Sequence, residues 1–412
     1  MPKHSRRKDS FSILLLEGIH NSAVELLHKR GYSNVESLTK ALDEAALIEK
    51  IAGVDMIGIR SRTQLTETVL KAAKRLFSIG CFCIGTNQVN LGAARRAGIP
   101  VFNAPFSNTR SVAELVVAEI VMLLRGLHER SAAVHRGQWP KSAKDSYEMR
   151  GKVLGIIGYG HIGTQLSVLA EAMGMEVRFF DIVRKLALGN ARPCGTLEEL
   201  LQVSDVVTLH VPDTQATRGM MGAVQLNQMK PGAYLINASR GTVVDIEALA
   251  QALRGRHLRG AAIDVFPREP ASNDEVFESP LRGMDNVILT PHIGGSTLEA
   301  QENIGVEVAD KLIEYSDNGS TIGAVNFPQV ALPTREQNPG TRFLHLHRNV
   351  PGVLRQINEV FASRNLNISA EYLQTDPEVG YVVVDVDGSV DDRQVQVELG
   401  QIDGTLRVRF LY

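Results

Sequence analysis

Three residue types in this chain could move a hydride and a proton between carbon and oxygen. Arg240 lies in NASRG, Glu269 in FPREP and His292 in TPHIGG. An imidazole can take a hydroxyl proton as hydride leaves the same carbon. A carboxylate beside it raises its pKa and orients the ring. A guanidinium can clamp a substrate carboxylate through paired hydrogen bonds. Taken singly, each residue more often forms a surface ion pair or sits in a core. Taken together they follow successive apolar runs, and that order makes them a candidate catalytic set.

A hydride needs an acceptor. Gly158-Tyr159-Gly160-His161-Ile162-Gly163 follows the apolar run VLGII and opens a pattern with Ile162, Leu166, Leu169, Ala170 and Met173 on one helical face. Asp181 ends the next apolar run, 18 residues after Gly163. Alone, G-x-G-x-x-G is a weak signal and could be a structural turn. With strand, helix and acid in place it predicts a dinucleotide site. Its glycines let backbone N–H groups approach a pyrophosphate at a helix N-terminus. Asp181 would accept from a ribose hydroxyl and repel a 2′-phosphate, so NAD is expected rather than NADP.

The elements that position these groups can be read from periodicity. VLGIIG, VRFFD, DVVTLHVP, AYLINAS, GAAIDVF and NVILTPH predict six strands of a doubly wound parallel sheet, buried on both faces. Their C-terminal ends leave His210 and Pro212, then Ala238, Ser239 and Arg240, then Asp264 with Glu269 beyond, then His292, Gly294 and Gly295. Such ends line one crevice.

Residues 11–106 predict a second parallel sheet, with SILLLE, VDMIGIR and IPVFNAP as strands and NSAVELLHKRG and TETVLKAAKRLF as helices. Residues 109–136 read as one long helix, apolar at Val116, Val117, Ile120, Val121, Leu123, Leu124 and Leu127. Apolarity on more than one face predicts burial in a core or a subunit interface. Trp139 follows in a loop, and 296–315 forms another helix. The stretch 316–341 is looser, and its second half, with Pro328, Pro333 and Pro339, reads as a linker. The remainder spells βαββαβ, the split ferredoxin-like order. In its last strand Leu406, Val408, Phe410 and Tyr412 alternate with Arg407 and Arg409, which predicts one buried and one wet face.

Composition excludes several functions. The 412 residues suggest two to four domains. Lys+Arg 44 against Asp+Glu 46 gives −2, no footprint for nucleic acid or an anionic membrane. With 44% hydrophobic and 22% charged residues the chain is globular. Cys81 and Cys83 form C-x-C and Cys194 stands apart, so no metal or redox pair is expected, and reduced thiols fit a cytosolic protein. The basic MPKHSRRKDS should fray, and Glu17 ends the run FSILLL far short of a signal-peptide core. No run approaches the ~18 residues of a membrane span. A cytoplasmic location is expected.

ASRGTVVD, GAAIDVFPREP and LTPHIGGST resemble the signatures of the D-isomer-specific 2-hydroxyacid dehydrogenases. The resemblance extends over nearly the whole chain, and the tail is similar to an ACT regulatory domain. It implies an α/β fold of two doubly wound parallel-sheet domains, flavodoxin-like and Rossmann, plus the ferredoxin-like ACT domain. The implied domains are 1–107 with 296–336 for substrate, 108–295 for NAD and 339–412 for ACT. Catalysis would fall on Arg240, Glu269 and His292. The cofactor shell would include His161, Ile162, Asp181, Ala238, Ser239, Arg240 and Asp264, the last against the nicotinamide carboxamide.

Within the family the chain is most similar to the members that open L-serine biosynthesis by oxidising 3-phospho-D-glycerate to 3-phosphohydroxypyruvate. Some relatives also reduce 2-oxoglutarate. Arg60 and Ser61 would contact substrate, with Asn108, Arg240 and Lys141 as further candidates. In serine-sensitive relatives the positions of His347, Asn349 and Asn367 bind serine; Arg348, His345 and Asn365 are expected to be exposed neighbours. A homo-oligomer is implied, and two interface types on one chain would give a tetramer. Two alternatives stay open. One is a dehydrogenase for another D-2-hydroxy acid such as glycerate, phosphoerythronate or lactate. The other is an NAD-sensing binding protein of the same fold. Formate dehydrogenases pair the histidine with an amide, so Glu269 speaks against formate.

Overall fold

A computed structural model describes residues 7–270, 274–333, 340–387 and 392–411. The fraying predicted for MPKHSR, and the roles given to Pro339 and Tyr412, lie outside these residues. From Lys8 onward the basic segment is anchored. Lys8–Ser10 form a 3-10 turn, and Lys8 Nζ lies 2.6 Å from Asp317 Oδ2.

The chain divides into two compact units, Met1–Ser107 with Gln301–Tyr412, and Asn108–Ala300. The first opens with strands β1 (Ile13–Leu15), β2 (Val35–Ser37), β3 (Met56–Ile59), β4 (Ser78–Cys81) and β5 (Val101–Asn103). They form a parallel sheet of order β2-β1-β3-β4-β5, the flavodoxin-like order. Helices α1 (Asn21–Lys29), α2 (Glu44–Ile51), α3 (Glu67–Ala72) and α4 (Leu91–Arg96) connect them. Side-chain caps start all four of these helices: His20 accepts from Ser22 N, Asp43 from Ala46 N, Thr66 from Val69 N and Asn90 from Ala93 N. Each satisfies an amide that a helix start leaves unpaired.

The second unit begins with α5 (Thr109–Arg125) and α6 (Leu127–His135), two helices where the periodicity predicts one. Gly126, in the left-handed region at φ 55°, ends the first. Val112, Val116, Ile120, Leu123 and Leu124 of α5 are buried in one core with Leu154, Ile156 and Ile236 of the following sheet. Much of the apolarity of this stretch is thus buried within the unit, while Leu127 stays 52% exposed.

That sheet comprises β6 (Val153–Ile157), β7 (Glu176–Phe180), β8 (Arg192–Pro193), β9 (Val206–Leu209), β10 (Tyr234–Asn237), β11 (Gly260–Ile263) and β12 (Val287–Leu289). Helices α7 (His161–Ala172), α8 (Leu197–Val203), α9 (Ala223–Gln228) and α10 (Ile246–Arg254) intervene. The order β12-β11-β10-β9-β6-β7-β8 is wholly parallel and reverses at β6, the switch point where Rossmann folds bind their ligand.

Helix α11 (Leu298–Asn318) leads back to the first unit. The stretch beyond it is not loose up to Val330. Asn326 Oδ1 accepts from Val101 N at 2.9 Å and its Nδ2 donates to Ile99 O at 3.0 Å. Thr321 Oγ1 donates to Pro328 O at 2.7 Å. The last segment has β13 (Thr341–Arg348), α12 (Val353–Ser363), β14 (Ile368–Thr375), β15 (Val379–Val386), α13 (Asp392–Gln401) and β16 (Thr405–Leu411). Its antiparallel order, β14-β15-β13-β16, is ferredoxin-like.

This third sheet is covered on both faces. Phe343, Val382 and Val384 pack with Ile357, Phe361 and Leu399 of its helices. Leu344, Leu346, Tyr381 and Val383 join Phe77, Tyr315 and Phe327 in the core of the first sheet. The wet face predicted for β16 is accordingly not wet. The Arg409 guanidinium lies 4.0 Å from the Phe77 ring centroid, and Arg407 Nη1 donates to Leu76 O at 2.7 Å. Arg342, buried, holds Asp385 with two bonds of 2.6 and 2.7 Å and donates to Asn318 O. Removing either side of a buried pair like this costs about 3–5 kcal/mol, because the other charge is left stranded.

Candidate active site

Helix α7 starts without a side-chain cap. Gly160 at its N-cap offers no side-chain acceptor, and its first turn holds no acidic residue. No cap or acid neutralises the positive helix end, which suits an anionic ligand. A Cβ on Gly160 would point into open space. Gly158 has φ 92°, and a Cβ there would overlap the His210 carbonyl; one on Gly163 would overlap the Gly158 carbonyl. Backbone can thus approach where a pyrophosphate would lie, and the cradle fits a dinucleotide. Asp181 braces it: Oδ2 accepts from Tyr159 N and Oδ1 from Val183 N, both at 2.9 Å.

The ends of β9 to β12 shape the opposite wall. His210 Nε2 lies 3.1 Å from Thr208 Oγ1, and burial pulls the His210 pKa down to about 3, so the ring is neutral. Pro212 is exposed beyond it. After β10, buried Asn237 folds the turn: its Oδ1 accepts from Ser239 N and Oγ, and its Nδ2 donates to Arg240 O. Ala238 and Arg240 are half-buried at this turn. Arg240 Nη1 donates to Ser239 O at 2.6 Å.

Asp264, 2% exposed, follows β11. Its Oδ1 accepts from Thr290 Oγ1 at 2.6 Å and Ile293 N at 2.8 Å, and its Oδ2 from Gly294 N at 2.8 Å. This carboxylate therefore holds the loop that carries His292. The loop needs holding, since His292 sits at φ 55°, a left-handed position uncommon for a side-chain-bearing residue. Gly295 lies against the Asn108 side chain, whose Oδ1 has no hydrogen-bond partner among the described residues.

His292 Nδ1 lies 2.9 Å from Glu269 Oε2, and Glu269 Oε1 accepts from Phe266 N at 3.2 Å. The bond to Glu269 raises the His292 pKa above the ordinary histidine value; burial and Arg240 act against it. Burial would lift the Glu269 carboxyl, but His292, Phe266 N and Arg240 together bring it below the ordinary carboxylate value. Arg240 therefore acts on both partners, and the three residues chosen from sequence converge. With Nδ1 engaged, His292 has Nε2 free for a hydroxyl.

Other candidates belong to the first unit. Arg60 and Ser61 follow β3 in a turn caged by Glu17. Glu17 Oε1 accepts from Arg60 N and Thr63 N, and its Oε2 from Arg62 N. Gln88 Nε2 donates to Arg60 O at 2.7 Å. The sequence reading treats Glu17 only as the end of an apolar run; nothing local shows that it braces a turn 43 residues on. Lys141, in the second unit, is exposed.

In the third sheet His347 is buried. Asn349 Nδ2 donates to Asp376 O at 2.7 Å, and Asn367 Nδ2 to Asp387 Oδ2 at 2.6 Å. Arg348 and Asn365 are exposed as predicted, but His345, expected beside them, is 1% exposed. It faces the core between β13 and α13, where its ring contacts Leu399 O.

Another acid escapes the sequence reading. Glu119 of α5 is 2% exposed, and neither carboxyl oxygen has a hydrogen-bond partner among the described residues. Burial, with the charge of Asp264, pushes its pKa up to about 8.

Known proteins resemble this chain in sequence and in fold. Residues 117–294 match the NAD binding domain of the D-isomer specific 2-hydroxyacid dehydrogenases, and residues 343–407 match an AHAS small subunit-like ACT domain. The chain is 59% identical over 411 residues to D-3-phosphoglycerate dehydrogenase of Haemophilus influenzae, covering 100% of this chain and 99% of that one. It is 50% identical over 412 residues to the protein of the same name from Dictyostelium discoideum, covering 100% of each. Among solved structures it is similar to D-lactate dehydrogenase from Aquifex aeolicus complexed with NAD and lactic acid. That match has 27% identity and a TM-score of 0.69 over 77% of this chain and 100% of that one.

Proposed function

The chain belongs to the D-isomer-specific 2-hydroxyacid dehydrogenase family, and we infer from this that it oxidises 3-phospho-D-glycerate to 3-phosphohydroxypyruvate with NAD, the first step of L-serine biosynthesis. NAD, when bound, supplies the hydride acceptor. Gly158, Gly160, His161, Ile162 and Gly163 would hold it at the α7 end, with Asp181 on the ribose. His210, Pro212, Ala238, Ser239, Asp264, Gly294 and Gly295 would line the remainder.

The chain's own residues then act in order. Arg240 clamps the substrate carboxylate with the part of its fork not engaged by Ser239. His292 Nε2 takes the hydroxyl proton, and Glu269 at Nδ1 fixes the ring and stabilises the imidazolium. Arg60, Ser61, Asn108 and Lys141 are proposed to contact substrate. Reduction of 2-oxoglutarate is a proposed side activity.

Serine is the proposed effector, at His347, Asn349 and Asn367, since the tail matches an ACT domain. The edge strand β14 has only one partner strand among the described residues, which suits pairing between copies. A tetramer is proposed, and a cytoplasmic location. No described helix is long and apolar enough to cross a membrane.

The convergence of Arg240, Glu269 and His292 carries the reading. NADH formation is the test, measured on 3-phospho-D-glycerate, D-glycerate, phosphoerythronate and D-lactate with and without L-serine. A higher kcat/KM on another acid would overturn the substrate.

A further inference from the structure

His345 and His347 lie two apart on β13, and their rings approach to 5.4 Å between centroids. Both are buried, at 1% and 4% exposure. Burial lowers both pKa values, that of His345 to about 4, so both rings are neutral near pH 7. A neutral imidazole has one N–H and one bare nitrogen, and its partners decide which is which.

One arrangement satisfies all the partners of His345. Thr405 Oγ1 donates to Leu399 O at 2.9 Å, so its single proton is committed and its oxygen must accept. His345 Nε2 lies 3.0 Å from that oxygen and 3.3 Å from Leu399 O, which can only accept. His345 Nε2 therefore carries the proton and its Nδ1 is bare. His347 Nδ1 lies 3.4 Å from that bare nitrogen, and a proton on it completes the pair. The Nε2 of His347 is left without a proton. Gly380 leaves room for this end of the ring, where any Cβ would overlap it.

We propose that His345 and Thr405 are positioning residues that fix His347 as the tautomer with a bare Nε2, so that the effector site offers an acceptor at this point. The group taken there is a hydrogen-bond donor, the ammonium or hydroxyl of a small amino or hydroxy acid, and not its carboxylate. This refines the proposed effector site and rests on that reading, whereas the tautomer itself does not.

The test is nitrogen-15 spectroscopy of the full-length chain with labelled histidine, assigned through Thr405→Val and Thr405→Ser. The expected spectrum has His347 protonated at Nδ1 and bare at Nε2, with His345 the reverse. Thr405→Val should mix the two His347 tautomers, and Thr405→Ser, which keeps the hydroxyl, should restore one. Loss of one neutral hydrogen bond should raise the serine concentration for half-inhibition roughly five-fold in Thr405→Val at unchanged kcat, with Thr405→Ser close to wild type. A protonated Nε2 on His347, or identical spectra for the two variants, would overturn the proposal. So would propionate, which has no donor, competing with serine as well as glycine does. A chain indifferent to serine but with the expected spectrum would sink the effector reading and leave the tautomer standing.

Discussion

Asp264 grips the chain just beyond His292, its two oxygens taking the N–H groups of Ile293 and Gly294. The carboxylate that family resemblance assigns to the nicotinamide carboxamide thus has a second task, holding His292 in a left-handed backbone position.

Asp264→Asn should therefore impair chemistry as well as cofactor binding. The amide would turn an N–H toward a backbone N–H. A displacement of His292 near 1 Å would lower kcat/KM by about 10²-fold. Steady-state kinetics at saturating NAD separates this from weak cofactor binding; an unchanged kcat would count against it.

His292→Ala should lower turnover by about 10²–10⁴ while NADH still binds. Glu269→Gln tests pH dependence. In the oxidation direction His292 must be unprotonated, so activity rises with pH through its raised pKa. Without the carboxylate that pKa falls, and the acid limb of kcat/KM should move to lower pH as the maximal rate drops. A limb that stays put would exclude Glu269 as the tuning partner.

Asp181→Ala should weaken NAD binding and narrow the preference over NADP, since a 2′-phosphate would no longer meet a carboxylate. The gain for NADP should be small, because Tyr159 N and Val183 N lose their acceptor at the same time. Cofactor titrations read both effects. Wild type using NADP as well as NAD would contradict the role of Asp181.

Glu119→Gln should stabilise the protein near pH 7. An unfolded chain releases the Glu119 proton above its ordinary value of 4.5, whereas the folded chain holds it until about 8. Stability is therefore lost as pH rises between those values, on the order of 2 kcal/mol by neutrality after allowing for relaxation. Gln removes that loss, and denaturant midpoints for the two proteins should converge toward pH 4. A variant less stable at pH 7 would show that the protonated acid has a partner of its own.

Deleting residues 340–412 should not yield a clean, unregulated enzyme. It would bare Phe77, Tyr315 and Phe327, now covered by Leu344, Leu346 and Tyr381. Aggregation or a lowered melting temperature is the expected outcome. A soluble fragment with wild-type stability would contradict the packing.

The parts of the site legible in sequence were those whose chemistry is local. The glycine motif, Asp181 and the residues just past each long apolar strand need only periodicity and spacing. The short strands β2, β4 and β8 escape that reading because they are defined by pairing to neighbours distant in sequence, not by their own composition. Glu17 escapes for a related reason: it braces a turn through contacts that no window of sequence contains. His345 was misplaced because strand alternation says which residues share a face, but not that a second layer covers it.

The residue that suits the backbone at position 292 differs from the one that suits the reaction. Glycine or asparagine would occupy φ 55° with less strain, yet neither carries a base. Selection for heat resistance alone, blind to turnover, should accumulate His292→Gly or His292→Asn. Survivors of such a screen would be sturdier proteins and dead catalysts, and the position would identify itself by the direction of its drift.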